Sequence, residues 1–205
     1  MIIIKVVGVI IRDFEENNKK FVGLRKDLLD SFKDYNILLI GVPINCNFNK
    51  LREIVNLCDG IVLSGGDNFL ENDFLLIDYL YKIDMPTLGI CLGMQSMGKY
   101  FSTKDEENVL NHSSNQHYVH YVNILKNSLL WKIVNKERIL VNSRHNSALF
   151  DTKLKVSAVS DDLVIESVED DTKNFFLGLQ WHPESLGDEN SKKIFNYFIN
   201  IIEKK

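Results

Sequence analysis

In the first half of the chain, short apolar runs rich in β-branched residues alternate with stretches whose apolar positions recur at helical spacing. The runs Ile2 to Ile11, Ile37 to Pro43, Gly60 to Leu63 and Pro86 to Ile90 are predicted strands. Between the first two, Phe21, Leu24, Leu28 and Phe32 share one helical face; between the next two, Phe48, Leu51, Val55 and Cys58 do the same. Each stretch is expected to form a crossover helix. A third helix, Phe69 to Ile83, ends at Asp84-Met85-Pro86, because the residue before a proline avoids the helical region, and a strand begins at Thr87. Such alternation builds an α/β fold with a parallel sheet.

After about Ser102 the pattern changes. His117 to Leu125, Arg138 to Val141, Leu154 to Val159, Leu163 to Val168 and Phe175 to Leu179 are short, β-rich and separated by polar turns, which predicts mixed sheet and hairpins. Glu189 to Ile202 places Ile194, Phe198, Ile201 and Ile202 on one face and is predicted to be a closing helix. No repeat, low-complexity linker or glycine-rich boundary interrupts the pattern, so a single domain over residues 1–205 is expected.

Composition narrows the function classes. A chain of 205 residues that is 45% hydrophobic can bury a substantial core. Its net charge of −4, from 24 basic and 28 acidic residues, offers no basic stripe, so nucleic acid is not an expected partner. No segment approaches the roughly 20 apolar residues that span a bilayer, so no membrane partner is expected either. The apolar start reads as a buried strand rather than a signal peptide, because Lys5 interrupts it and no small-residue cleavage site follows. Cys46, Cys58 and Cys91 form no CxxC pair, which fits a reducing, cytoplasmic setting.

Three motifs carry chemistry. Gly89-Ile90-Cys91-Leu92-Gly93-Met94-Gln95 follows a strand and opens a helix, the arrangement of a nucleophile elbow. Its thiol would stand at the carboxyl edge of the sheet, where the positive end of the helix dipole favours the thiolate. Gly178-Leu179-Gln180-Trp181-His182-Pro183-Glu184-Ser185 ends a β-rich run with a base and a carboxylate two residues apart, which can supply a proton acceptor and the group that orients it. Val62-Leu63-Ser64-Gly65-Gly66-Asp67 sets paired glycines after a strand, where N–H groups can point outward to hold an oxyanion. Read singly, each has an ordinary alternative: a buried small residue, a turn, a βα loop.

In this order along one α/β chain, the three motifs resemble those of the class I glutamine amidotransferase family, and the resemblance spans nearly the whole sequence. It implies a flavodoxin-like, open, mostly parallel central sheet flanked by helices, with a smaller antiparallel sheet in the second half. It further implies a Cys91-His182-Glu184 triad, an oxyanion hole formed by the N–H groups of Leu92 and of Gly66 or Gly65, and Gln95 against a bound glutamyl group. Asn142-Ser143-Arg144-His145-Asn146-Ser147 is similar to a family loop that packs beside the substrate, which makes His145 and Asn146 substrate-binding candidates beside Gly65 of the glycine pair. The implied activity is cleavage of a small-molecule γ-glutamyl amide through a glutamyl thioester, with no cofactor. His112, His117 and His120 stand in a polar loop-to-strand segment and read as surface or loop histidines, and no metal site is expected.

Within the family, Gly65-Gly66-Asp67, the Asn142 loop and the Gln180-Trp181-His182-Pro183-Glu184 stretch resemble the γ-glutamyl hydrolase-like branch. Leu92 after the cysteine resembles instead the ammonia-supplying subunits, which act with a separate synthase. Arg25-Lys26-Asp27-Leu28-Leu29 is similar to the first helix of γ-glutamyl-CDP-amidate hydrolases. A binding module without catalysis is the competing reading from another class. The intact Cys91, His182 and Glu184 argue against it.

Overall fold

The computed structural model describes residues 4–204. In chain order, its first half contains β1 (Lys5–Glu16), β2 (Lys19–Gly23), α1 (Lys26–Asp30), β3 (Ile37–Pro43), α2 (Phe48–Val55), β4 (Gly60–Leu63), α3 (Glu71–Lys82), β5 (Thr87–Ile90) and α4 (Leu92–Tyr100). The second half continues with β6 (Glu107–Asn108), β7 (His120–Ile124), α5 (Leu129–Val134), β8 (Arg138–Val141), β9 (Ser147–Ala148), β10 (Lys155–Ser160), β11 (Ile165–Glu169), β12 (Phe176–Leu179), α6 (Pro183–Leu186) and α7 (Glu189–Glu203).

The parallel part of the main sheet runs β3-β1-β4-β5-β12. Numbered along the chain these strands lie in the order second, first, third, fourth, fifth, the flavodoxin-like arrangement. Beyond β12 the sheet continues antiparallel through β11, β10, β7 and β8. The antiparallel half is therefore an extension of the main sheet, and among the described residues β6 and β9 form a separate two-stranded ribbon. Helices cover both faces. One core gathers Leu28 of α1, Leu130 and Ile133 of α5, and Ile194, Phe198 and Ile202 of α7. The other gathers Leu51 of α2, Leu76 and Leu80 of α3, and Met94 and Met97 of α4. Among the described residues, no helix is long and apolar enough to cross a membrane.

The expected helix through Phe21 to Phe32 is corrected. β1 runs on to Glu16 and returns through Asn17 and Asn18, at φ 52° and 58°, into β2. Two consecutive asparagines in the left-handed region make the tight hairpin turn that matches strand twist. Phe21 consequently pairs across the hairpin with Phe14, their ring centroids 5.4 Å apart, and helix α1 shrinks to five residues. Leu28 and Phe32 still reach the core. Ile2 and Ile3 of the predicted first strand lie outside the described residues. Helices α5 and α6 were not expected from the periodicity, being too short to display it.

Helix α4 sits tightly against the sheet because three glycines remove the side chains between them. A Cβ on Gly93 would overlap the carbonyl of Leu63 in β4, one on Gly89 of β5 would lie 2.9 Å from the Met94 nitrogen, and one on Gly178 of β12 would lie 2.9 Å from Met94 Cγ. Since the obstacle at Gly93 is backbone, no rotamer change relieves it. Gly93→Ala is expected to destabilise the fold by about 1–3 kcal/mol or more, the usual range for overpacking, as read from denaturant unfolding. An unchanged midpoint would show that α4 can retreat from β4.

Candidate active site

The three motifs meet because β4, β5 and β12 are adjacent and parallel, so their carboxyl ends lie side by side. Leu63 aligns with Gly89 and Leu179 with Ile90. Gly65 and Gly66 follow β4, Cys91 follows β5, and His182 follows β12. The N–H of Cys91 donates to the carbonyl of Leu179 at 2.8 Å, carrying the ladder to the motif itself.

Cys91 is the N-cap of α4, at φ 52° and ψ −109°. A non-glycine residue held there stores roughly 1–3 kcal/mol of backbone strain, which the surrounding pairing must sustain. Such strain clusters where a side chain must be presented in a particular direction. The first N–H groups of a helix have no partner within it, so the N–H of Leu92 is available beside the thiol. Gly66 lies next to it: a Cβ there would be 3.0 Å from Leu92 Cδ2 and closer still to the Arg12 side chain. At Gly65 a Cβ would stand 3.2 Å from His182 Cε1 and 3.6 Å from Cys91 Cβ, so the missing side chain leaves room for imidazole and thiol together.

His182 is buried and held from three directions. Its Nδ1 meets Glu184 Oε1 at 2.7 Å. Its main chain is clamped by Asn142, whose Nδ2 donates to the His182 carbonyl and whose Oδ1 accepts from the His182 N–H, both at 2.8 Å. Burial by itself lowers the pKa of the imidazole, but hydrogen bonds to Cys91 and Glu184, with the negative charge of both, outweigh it and lift the pKa to about 10. Gln180 Nε2 points at Cys91 Sγ from 3.8 Å. By contrast, burial and the neighbouring Asp59 push the Cys58 thiol up to about 11, which makes it inert near neutrality.

A cavity of about 690 Å³ opens over this edge, with Gly65, Gly66, Cys91, His182, Arg12 and Arg144 among the residues on its wall. Arg12 is joined to Asp73 in a buried ion pair, while its Nε has no partner. Arg144 donates to Ser185 Oγ at 2.9 Å, and among the described residues it forms no ion pair. Three expected substrate contacts do not line this cavity. Gln95 is buried with its Nε2 spent on the Ser147 carbonyl, Asn146 is exposed, and His145 is buried facing His112. Two residues inside the quoted motifs turn out to have roles the sequence did not assign them: Asn142 as the clamp on His182 and Gln180 beside the thiol. The reading of the histidines also changes. His117 is exposed, but His112 is buried and His120 opens strand β7.

Comparison with known proteins was consistent across sequence and structure. Residues 70–184 match the family model described as Peptidase C26. A Schizosaccharomyces pombe protein named after glutamine amidotransferases is 30% identical over 175 residues, 69% of this chain and 69% of that protein. The glutamine-hydrolysing GMP synthase of Dictyostelium discoideum is 32% identical over 172 residues, 77% of this chain; the match spans only 23% of that protein's length. Among solved structures, a Thermoplasma acidophilum protein described as a GMP synthase subunit superposes with a TM-score of 0.74 over 100% of this chain and 96% of its own, at 19% identity.

The raised imidazole pKa has a signed consequence. A pKa lifted from 6.5 to about 10 means that the His182 interactions stabilise the fold fully below about pH 6.5 and are lost as pH rises through about 10. In an NMR titration, the histidine signal absent from His182→Asn is expected to remain in its protonated form at pH 8 and to change near pH 10. A midpoint near the ordinary 6.5 would contradict the hydrogen-bonded arrangement.

Proposed function

The chain belongs to the Peptidase C26 family of class I glutamine amidotransferases, an amide-hydrolysing family, and from that premise we propose that it cleaves a γ-glutamyl amide through a thioester on Cys91. The observation that carries this reading is the meeting of a thiol at a strained helix N-cap with an imidazole whose far nitrogen is held by Glu184 at 2.7 Å.

In the proposed sequence, Cys91 Sγ attacks the amide carbon, and the carbonyl π electrons move to oxygen. The N–H groups of Leu92 and of Gly66 or Gly65 receive that oxyanion. His182 delivers a proton to the leaving nitrogen, the C–N bond breaks, and ammonia or an amine departs. Water then attacks the thioester while His182 takes its proton; the C–S bond breaks, releasing glutamate and restoring the thiolate beside the protonated His182. Glu184 keeps the His182 ring in the working tautomer. The cavity wall supports a carboxylate-bearing substrate, because Arg144 carries a charge with no acidic partner among the described residues. A volume of about 690 Å³ is within the range that holds drug-sized ligands, which favours a substituted amide over free glutamine.

A second reading, an ammonia-supplying glutaminase subunit for a separate synthase, rests on Leu92 and on the relatives named for GMP synthase. The two readings separate in a steady-state assay of glutamate release from glutamine and from N-substituted γ-glutamyl amides. The free-standing hydrolase is expected to turn over at least one substituted amide unaided, faster than glutamine. Slow turnover of every substrate, rising about tenfold or more on addition of a synthase, would favour the second.

For either reading Cys91→Ala is expected to remain folded and to lose turnover on the order of 10⁶-fold, whereas Glu184→Gln should lose closer to 10⁴-fold, since an orienting group contributes less than the nucleophile. Near-normal glutamate release from Cys91→Ala would end the thioester proposal. Equal losses in both variants would remove the role given to Glu184.

A further inference from the structure

A second cluster of chemistry lies on the antiparallel side of the sheet, away from the cavity. His120 opens β7 and Glu166 sits in β11. His112 and His145 come from two loops tied together by the His145 N–H, which donates to the His112 carbonyl at 2.9 Å, and by Ser143 Oγ, which donates to the same carbonyl at 2.6 Å. One ligand atom from each of the four residues lies within 4.8 Å of every other.

The outward nitrogens fix what the inward ones can do. His120 Nδ1 faces the Tyr121 carbonyl at 3.2 Å, and His145 Nδ1 faces the Ser147 carbonyl at 3.0 Å. A carbonyl oxygen only accepts, so in both rings Nδ1 carries a proton, and in the neutral ring that leaves Nε2 facing inward as a lone pair. For His112 the Asp162 carboxylate, 3.0 Å from Nε2, takes that part, so in the neutral ring Nδ1 is the inward lone pair. The three inward nitrogens converge on Glu166, which is fully buried and whose Oε1 lies within 3.4 to 3.7 Å of each of them. A buried carboxylate ringed by three imidazoles needs positive charge at its centre, which either protons on the rings or one bound cation supplies.

Four of the six distances between ligand atoms fit one class of cation, and all six stay within 4.8 Å. Around zinc, ligand bonds of about 2.0–2.1 Å place neighbouring donor atoms about 3.3–3.4 Å apart in a tetrahedron. Here His112 Nδ1 lies 3.3 Å from His145 Nε2 and 3.4 Å from Glu166 Oε1, while Glu166 Oε1 lies 3.5 Å from His120 Nε2 and 3.7 Å from His145 Nε2. The hydrogen bond from the far nitrogen of each ring to an oxygen is also the usual support for a metal-bound histidine. We propose that His112, His120, His145 and Glu166 bind one zinc-like divalent ion in a closed, structural site. The ion joins the two loops to β7 and β11. It also anchors the segment from Asn142 to His145, whose first residue clamps His182.

The test is to strip the purified chain with a chelator at neutral pH and titrate it separately with Zn²⁺ and Co²⁺, following stoichiometry, visible absorption and thermal midpoint. One ion per chain is expected, with the intense visible bands of tetrahedral cobalt and a midpoint that rises with zinc. Asp162→Ala alters only an exposed carboxylate and is expected to bind about 10–100-fold more weakly. Glu166→Gln should lose binding, and Cys91→Ala should bind as the unaltered chain does. If Glu166→Gln does not fold, the titrations of the unaltered chain and of Asp162→Ala decide. Wild-type protein that takes up neither ion stoichiometrically, its histidines holding protons instead, would overturn the site. Binding lost in Cys91→Ala and unchanged in Asp162→Ala would do so as well.

Discussion

The pairing of β4, β5 and β12 in parallel register is the constraint on which the rest of the molecule depends. It is short, four residues in each strand, yet it sets three chain segments side by side at one edge. A slip by one residue would invert every side chain of the slipped strand. The register is protected by α4: Met94 lies against Gly178, and Gly93 admits the helix close enough to touch the backbone of β4. The helix that Cys91 caps is thus also the wedge that holds the three strand ends in line.

The strained backbone and the buried charges are linked through this frame. Cys91 keeps its left-handed conformation because its N–H is bonded to β12 and its carbonyl accepts from Gln95 inside α4. His182 and Glu184 are both buried, which would be costly for isolated charges, and each relieves the other through the 2.7 Å contact. Asn142 contributes two main-chain hydrogen bonds to the same histidine from the antiparallel half of the sheet. The two halves of the sheet are therefore joined mechanically at the site: one presents the thiol and the base, the other steadies the base.

Much of this was legible in the sequence, for identifiable reasons. The parallel strands are apolar runs, and the motif residues fall just past the ends of three of them, so Cys91, His182, Glu184 and the Gly65-Gly66 pair stand out from the sequence by itself. Elements that depend on cross-chain pairing do not. The β1–β2 hairpin hides behind an apolar spacing that also fits a helix, and only Asn17-Asn18 hinted at the turn. The Ser128 cap, which accepts from the Trp131 N–H, was the one local sign of α5. His112, His120, His145 and Glu166 come together through the pairing of distant strands and loops, which no spacing rule encodes. Gln95 sits one helical turn beyond Cys91, near enough to suggest a substrate contact, but its amide is turned to the Ser147 carbonyl.

Among the described residues Cys91 is the one thiol that both lines the cavity and is served by a base, and a glutamine analogue bearing an electrophilic ketone at the amide position tests that most directly. Intact-mass and peptide analysis after incubation should find a single adduct on Cys91, formed far more slowly in His182→Asn, with Cys46 and Cys58 unmodified. An adduct on Cys46 in preference to Cys91, or a rate at Cys91 indifferent to His182, would contradict the assignment of nucleophile and base.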